Sequence, residues 1–525
     1  MTFSHRRSAS RGVGTARRTG LALIAAAGIA GCISLDVTNP NGLGITTVFN
    51  NAANTEAALI GSWKAYTAVG LSSCPTLPLG IWGDEITSTS ISYIDYSGEP
   101  RIPINNRDNL NCTTRSGYWT PYESMAGARE SFQGIRANNL VFGTVNATTP
   151  GGADTPNRVL FAKFIIAINT LRHALYFDQA FITDTATPPG EKGTNLSPAA
   201  QVLATAKAQL RNVIAEAQAM PAFTWPALFI NGRTITRDEL VRICYSYLVR
   251  ADVYSPRNPA ERAAVNWGAV LARLDSGITR DFGHQADPAI AGTGSTYLTN
   301  SFAQNTVRIS NRLIGPADTS GVYQAWLAKP IADRTAFTIT TPDRRIHGAT
   351  NSTAGTRFTR LTTTMGSATN GPYLTSSYRS TRYLNTAADS GSRAFVVEIA
   401  LDEMKFIRAE ALFRLNRGAE AAALINPTRV AANLKPVDAN GPPAGRDCVP
   451  RKNDGACGNL FDAIQYEKRI ELYPYRSEVT WFDARGWGKL VPGTPFQLPV
   501  SGRELLTQGL TYYTFGGVGL PGGAP

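Results

Sequence analysis

Cysteine and histidine are scarce in this chain, at six and four of 525 residues. No two histidines stand at metal-ligand spacing, so a zinc site is not expected. Neither G-x-S-x-G, H-E-x-x-H nor a phosphate-binding P-loop occurs. The acids Asp84-Glu85 and Asp402-Glu403 are neighbours in the chain and diverge, whereas glycosidic hydrolysis needs two carboxylates facing one bond. The sequence therefore points to no catalytic residue, no metal and no cofactor. Lysine and arginine never run together with aromatics, which speaks against nucleic acid as a partner. After residue 31 no segment reads as a bilayer span, which takes ~20 apolar residues.

What is present begins at the N-terminus. Arg6, Arg7, Arg11, Arg17 and Arg18 precede a short apolar run, Leu21 to Ala30, with no acid among them. This is the charge and hydropathy pattern of a cleavable secretory signal. Ile29-Ala30-Gly31-Cys32 places small residues before a cysteine, which resembles the lipobox of bacterial lipoproteins. The expectation is a signal peptide over 1–31 and a lipid on Cys32 that anchors the chain durably, since several acyl chains bury many CH₂ groups. Ile33 follows the cysteine in place of an inner-membrane-retaining Asp, so the outer membrane is the favoured address. Loss of the five signal arginines takes the net charge from +12 to +7.

The other five cysteines lie in a compartment that permits disulfides. Cys448 and Cys457 flank a loop rich in Gly, Asp and Asn, which a disulfide would staple. Cys74 and Cys112 bracket another loop-like stretch and are the next candidate pair. Four cysteines allow three pairings. Cys244 lies on an apolar helical face and reads as an inert core thiol.

Apolar spacing then divides the rest of the chain. Helices are expected over Asn54–Val69, Ser124–Phe142 and Arg158–Phe181, and from Ser197-Pro198, read as an N-cap and first helical position. The clearest one starts at Thr236, with Glu239 completing a capping box, and buries Leu240, Ile243, Cys244, Tyr247, Leu248 and Ala251 on one stripe. Val265–Ser276 pairs with it. Glu398–Leu415 and Ala419–Asn426 form a further pair, and Leu460–Leu472 is the last strong helix. Four helix pairs joined by turns imply a solenoid-like α scaffold, over about 50–69, 119–280 and 398–490.

Two regions, about 70–118 and 281–397, lack helical periodicity and are rich in Gly, Ser, Thr and Asn. Irregular stretches this long in a compact domain are usually functional. Short alternating runs at Arg357–Leu361 and Phe395–Val397 read as strands. Scattered aromatics mark both regions. Capture of sugars needs flat aromatic faces beside groups that bond hydroxyls, and on that ground Trp82 with Asp84, and Tyr323 with Trp326, are the candidate ligand-binding residues. Asn138, Asp178, Glu410, Arg429 and Asp483 fall on expected helices and read as caps and buried ion pairs.

Several segments, in order, are similar to the SusD/RagB outer-membrane nutrient-uptake lipoproteins. They are Leu35-Asp36-Val37-Thr38-Asn39-Pro40-Asn41, Trp119 and Tyr122 with Arg136-Ala137-Asn138, and Leu171 to Asp178. Further on come Glu403 to Leu412, Ile425-Asn426-Pro427-Thr428-Arg429, Glu467 to Leu472, Trp481 to Arg485, Gln497 to Val500 and Glu504. Their order over most of the chain carries the resemblance, more than any one of them. One link departs from the pattern, at Tyr473-Pro474-Tyr475-Arg476-Ser477-Glu478.

The resemblance implies a mainly α fold, with four TPR-like helix pairs and an irregular loop-rich lobe with a few short strands, in a single domain over 32–525. It also implies a surface-exposed lid on a TonB-dependent, SusC-like β-barrel transporter that captures oligosaccharides or similar nutrients for import. Two other readings of the residues are an envelope assembly scaffold without a small ligand, and a surface glycan hydrolase.

Overall fold

Helices of the expected pairs stack in chain order in the computed structural model. It describes residues 48–525 apart from 91–92, 107–111, 188–194, 288, 291–306, 366–367 and 383–392, and apart from the side chains of 73, 94, 112–116, 362–365 and 368. The signal, Cys32 and the Leu35–Asn41 segment lie outside the described residues. Residues 49–525 form one unit.

Helix α1 (Ala52–Leu71) starts where the Asn51 side chain accepts from the Ala53 and Asn54 amides, and it buries Leu59, Trp63 and Tyr66 along one stripe. A break at Ser72 leads into α2 (Ser73–Trp82), a helix in a stretch expected to be irregular. The stretch shows too little helical periodicity to have marked it. Cys74 has extended backbone, so the regular turns begin only at Pro75 and Pro78 falls near their start, where proline is tolerated.

Helix α3 (Cys112–Ala137) starts earlier than expected, and α4 (Thr155–Tyr176) ends earlier, because Gln179–Phe181 leaves the helix to pair with Leu196–Pro198. Ser197 and Pro198 thus belong to that strand, and α5 (Ala199–Ala219) has no side-chain cap. By length and composition α4 would cross a membrane, contrary to the expectation of no such segment, but nearly all of it is buried inside the fold. A long, mostly apolar helix buried on nearly every side is a core helix.

Helix α6 (Arg237–Tyr254) carries the expected capping box of Thr236 and Glu239. After α7 (Trp267–Asp275) the chain makes a long excursion and returns to α8 (Leu401–Arg414) and α9 (Gly418–Ala431). Each of α1, α3, α4, α5, α6, α7, α8 and α9 packs on the next. Helix α10 (Leu460–Leu472) matches its expected bounds. It is not the last strong helix: α11 (Ser477–Trp487) follows and is buried along its whole length.

The sheets are small. Among the described residues there are six antiparallel pairs and no larger sheet. Two of them organise the irregular regions. Phe282–Ala286 pairs with Ala394–Ile399, so the excursion between α7 and α8 leaves and re-enters at one place. Ile86–Thr87 pairs with Arg308–Ile309, which joins the two irregular regions into one lobe. That lobe has its own apolar cluster, including Leu77, Ile81, Ile86, Ile309, Phe358 and Tyr378. Phe358–Met365 pairs with Ser376–Ser380, so the expected strand runs four residues further than its alternation showed.

Candidate ligand-binding cleft

Helix α10 places Asp462, Gln465, Tyr466 and Arg469 at i, i+3, i+4 and i+7, and all four line one open cleft. Helix α11 adds Thr480, Ala484 and Trp487 at the same kind of spacing. The rest of the wall comes from the lobe: Gly83 and Asp84 after α2, Arg312 and Tyr323, and the loop from Pro450 to Asp454. The cleft encloses about 1520 Å³, open solvent included.

Each wall is fixed by a specific contact. A Cβ on Gly83 would sit 2.9 Å from the Trp481 amide nitrogen, so glycine lets the end of α2 lie against α11. Asp84 next to it is left-handed (φ 55°), a conformation its short polar side chain tolerates. Its carboxylate accepts from Arg101 at 3.2 Å. Burial raises the Asp84 pKa, against the pull of Arg312, Arg101 and Arg469. Glu85 turns away to accept from Thr480 at 2.9 Å, and burial pushes its carboxyl up to about 7. The two adjacent carboxylates thus have separate partners.

Arg469 donates to the carbonyls of Gly83 (3.0 Å) and Asp84 (2.9 Å), clamping the turn onto α10. Arg312 is held by Glu99, at 3.2 and 2.8 Å, and Glu99 also accepts from Arg334 at 3.0 Å. The far wall is the stapled loop. Cys448 and Cys457 are disulfide-bonded, as their flanking positions suggested. The Arg451 amide donates to the Pro316 carbonyl at 2.7 Å, and Gln324 donates to the Lys452 carbonyl at 3.1 Å, so the loop is tied to the segment carrying Tyr323.

Beneath the cleft, α10 and α11 are held by buried ion pairs. Arg262 bridges Glu410 (2.7 Å) and Asp483 (3.1 Å), and Asp483 also meets Lys468 at 2.6 Å. Glu467 joins Arg345 (2.6 Å) and Arg429 (2.8 Å). The departing link between α10 and α11 is anchored by Arg476, which pairs with Glu398 at 2.6 Å and with Glu478.

This arrangement of stacked helix pairs and one irregular lobe recurs in solved structures. A SusD superfamily protein from Bacteroides thetaiotaomicron shares 15% identity at a TM-score of 0.51, with 88% of this chain and 98% of that one covered. A SusD superfamily protein from Bacteroides fragilis gives 13% and 0.53, over 87% and 98%. The surface glycan-binding protein A from Bacteroides uniformis gives 14% and 0.53, over 88% and 99%. The chain has a SusD-like fold. No protein-family model and no curated protein matches the sequence.

Within this SusD-like fold the four aromatic and acidic candidates separate. Asp84 and Tyr323 line the cleft together. Trp82 does not: it is 2% exposed, packed against Tyr96 and Trp481 in the core, and offers no free face. Trp326 is also buried, flanked by Tyr323, Phe337 and the guanidinium of Arg334, and it borders a small neighbouring pocket with Glu99 and Arg101. Tyr323 itself is largely covered, its ring seated on Gly315, where a Cβ would collide with it.

The motif residues Glu410, Arg429 and Asp483 are the buried ion pairs just described. Asn138 donates to the Phe49 carbonyl at 2.9 Å, and Asp178 accepts from Tyr513 at 2.7 Å. Cys244 is a free buried thiol. Cys74 is disulfide-bonded, but the expected partner side chain, Cys112, lies outside the described residues. Sequence reasoning missed Arg469, Gln465, Asn453 and Trp487. The i, i+3, i+7 polar stripe on α10 was visible, but nothing local marked it as facing a cavity and not solvent.

Proposed function

We propose that this chain is a lipid-anchored outer-membrane protein that binds oligosaccharides or similar nutrients in the cleft and passes them to a partner TonB-dependent β-barrel transporter. The cleft carries this reading. It is roomy, open and lined by amides, hydroxyls and charges from both helices and loops, the groups that replace water around a sugar hydroxyl. Two further observations support it: the ordered SusD/RagB-like segments with their lipobox-like start, and the SusD-like fold. The chain binds and does not cleave, in this reading, because Asp84 and Glu85 are committed to Arg101 and Thr480 and face no common point.

The test is oligosaccharide binding by the purified protein, against Asn453→Ala/Gln465→Ala. These side chains line the cleft, and neither makes a hydrogen bond within the described residues. The expected result is at least tenfold weaker binding with unchanged melting. If no oligosaccharide binds, or the variant binds as well as wild type, the cleft is not the site. In the same preparation Cys32→Ser should leave the outer-membrane fraction; retention after a high-salt wash would exclude the lipid as the main anchor.

A further inference from the structure

The charges around the cleft do not balance. Three carboxylates border it, and each is already engaged. Asp84 pairs with Arg101 at 3.2 Å. Asp454 accepts the Ala456 amide at 2.9 Å and turns the stapled loop. Asp462 closes the capping box of α10 by accepting the Asn459 amide at 3.0 Å, and two lysines share it at long range, Lys452 and Lys489, each at 3.9 Å.

The cations outnumber these acids. Arg312 is neutralised by Glu99. Arg451 and Arg469 have no carboxylate within ion-pair distance among the described residues. Each donates to backbone carbonyls only, Arg469 to Gly83 and Asp84, Arg451 to Arg446, Gly445 and Gly455. The Nε of each is buried without a hydrogen-bond partner. Asp84 and Glu85 offset part of the Arg469 charge through space, but five cations line the cleft, Arg312, Arg451, Lys452, Arg469 and Lys489, against three carboxylates. A net positive field therefore fills a concave site whose walls lower the local dielectric, where it acts more strongly than on an open surface.

Resting on the reading of the cleft as a sugar site, we propose that its ligand is an acidic oligosaccharide, a chain of sugars bearing uronate carboxylates. The acid group would lie along the face of α10 that runs from the Lys452/Lys489 pair at Asp462 to Arg469. These two ends are seven residues apart, about 10 Å along a helix at 1.5 Å per residue. That span suits one or two sugar rings. Guanidinium and ammonium groups bind carboxylates through charge-assisted hydrogen bonds. The remaining wall suits a sugar: Asn453 and Gln465 offer bonds to hydroxyls, and the rings of Tyr466 and Trp487 line the same wall beside them.

Calorimetric titration of the purified full-length protein decides this. The probes are tetragalacturonate, its methyl ester (the same sugars without charge), neutral cellotetraose and tetraglutamate, at low and moderate NaCl. Tetragalacturonate should bind at least tenfold tighter than its ester, and the advantage should shrink as salt screens it. Lys452→Gln/Lys489→Gln, at side chains about half exposed, should lose most of that preference while melting as wild type does. Arg469→Gln tests the inner end of the stripe.

Equal affinity for acid and ester, with binding retained, would overturn the acidic-ligand inference and leave the sugar site standing. Tighter binding of tetraglutamate than of tetragalacturonate would replace the sugar by an acidic peptide. Binding of no saccharide, charged or neutral, would remove the sugar reading itself. A preference for the acid that survives in both variants would place its recognition elsewhere on the protein and overturn the assignment.

Discussion

Helix α4 and the cleft-bearing lobe bury their chains by different means. Eighteen of the 22 residues of α4 are buried, most of them apolar. Its backbone groups bond within the helix except in its last turn, where Arg257 and Arg485 donate to the Ala174 and Leu175 carbonyls. The lobe has short strands, broken turns and many carbonyls that no ladder reaches. There arginine does the work: Arg101 donates to the Gly98 and Ile81 carbonyls, Arg469 to Gly83 and Asp84, and Arg451 to the stapled loop. A buried carbonyl must find a donor, and a guanidinium supplies five in a fixed fork. Irregular backbone thus draws cations inward, and the same cations leave the cleft positive.

Substitutions in the two regions should therefore fail differently. The largest effect is expected in the stack. Phe161 is fully buried, edge-on to Trp225 and Phe229. Phe161→Ala should cost about 3–5 kcal/mol and lower the single thermal transition seen by circular dichroism. A loss below 1 kcal/mol would mean that the helical stack does not carry the stability.

The lobe should respond locally. Replacing Cys448 and Cys457 by serine releases a loop closed over a separation of nine residues, worth about 3 kcal/mol by chain entropy. Hydrogen exchange should quicken in the loop around Lys452 and at the start of α10, with the amides of α4 unaffected. Equal loss of protection in α4 would show that the two regions unfold as one.

The smallest effect is pH-dependent. Glu85 titrates at about 7 in the fold, against an ordinary 4.5. The native state therefore holds an extra proton between those values, and stability falls as pH rises through this window. Glu85→Gln keeps an acceptor for Thr480 and removes the loss, so it should raise stability by about 1–3 kcal/mol at pH 8 and change little at pH 4. A gain of the same size at both pH values would assign the effect to packing.

The sequence was legible where local rules suffice. Thr236 and Glu239 gave a helix start, α10 kept its expected bounds, and the four helix pairs stack in the order their spacing implied. It misled where a local signal had a tertiary use. Ser197-Pro198 has the chemistry of a helix start but pairs as a strand, because Gln179–Phe181 lies beside it. Ser73–Trp82 lies in a stretch expected to be irregular, yet it is helical, with Leu77 and Ile81 buried in the lobe and Leu79 and Trp82 in the helical core. Trp82 has the right chemistry for stacking a sugar, but α11 and Tyr96 cover it.

The sequence by itself determined the helical scaffold and singled out Cys448 and Cys457 as a candidate staple, because periodicity, capping and proximity along the chain are local properties. Only the tertiary structure decided the cleft. Asp84, Tyr323, Lys452 and Arg469 come from four separate stretches, and what brings them together is strand pairing and ion pairing between residues more than a hundred positions apart. No local pattern records those contacts, so the charge of the site became readable only once the lobe had closed on α10.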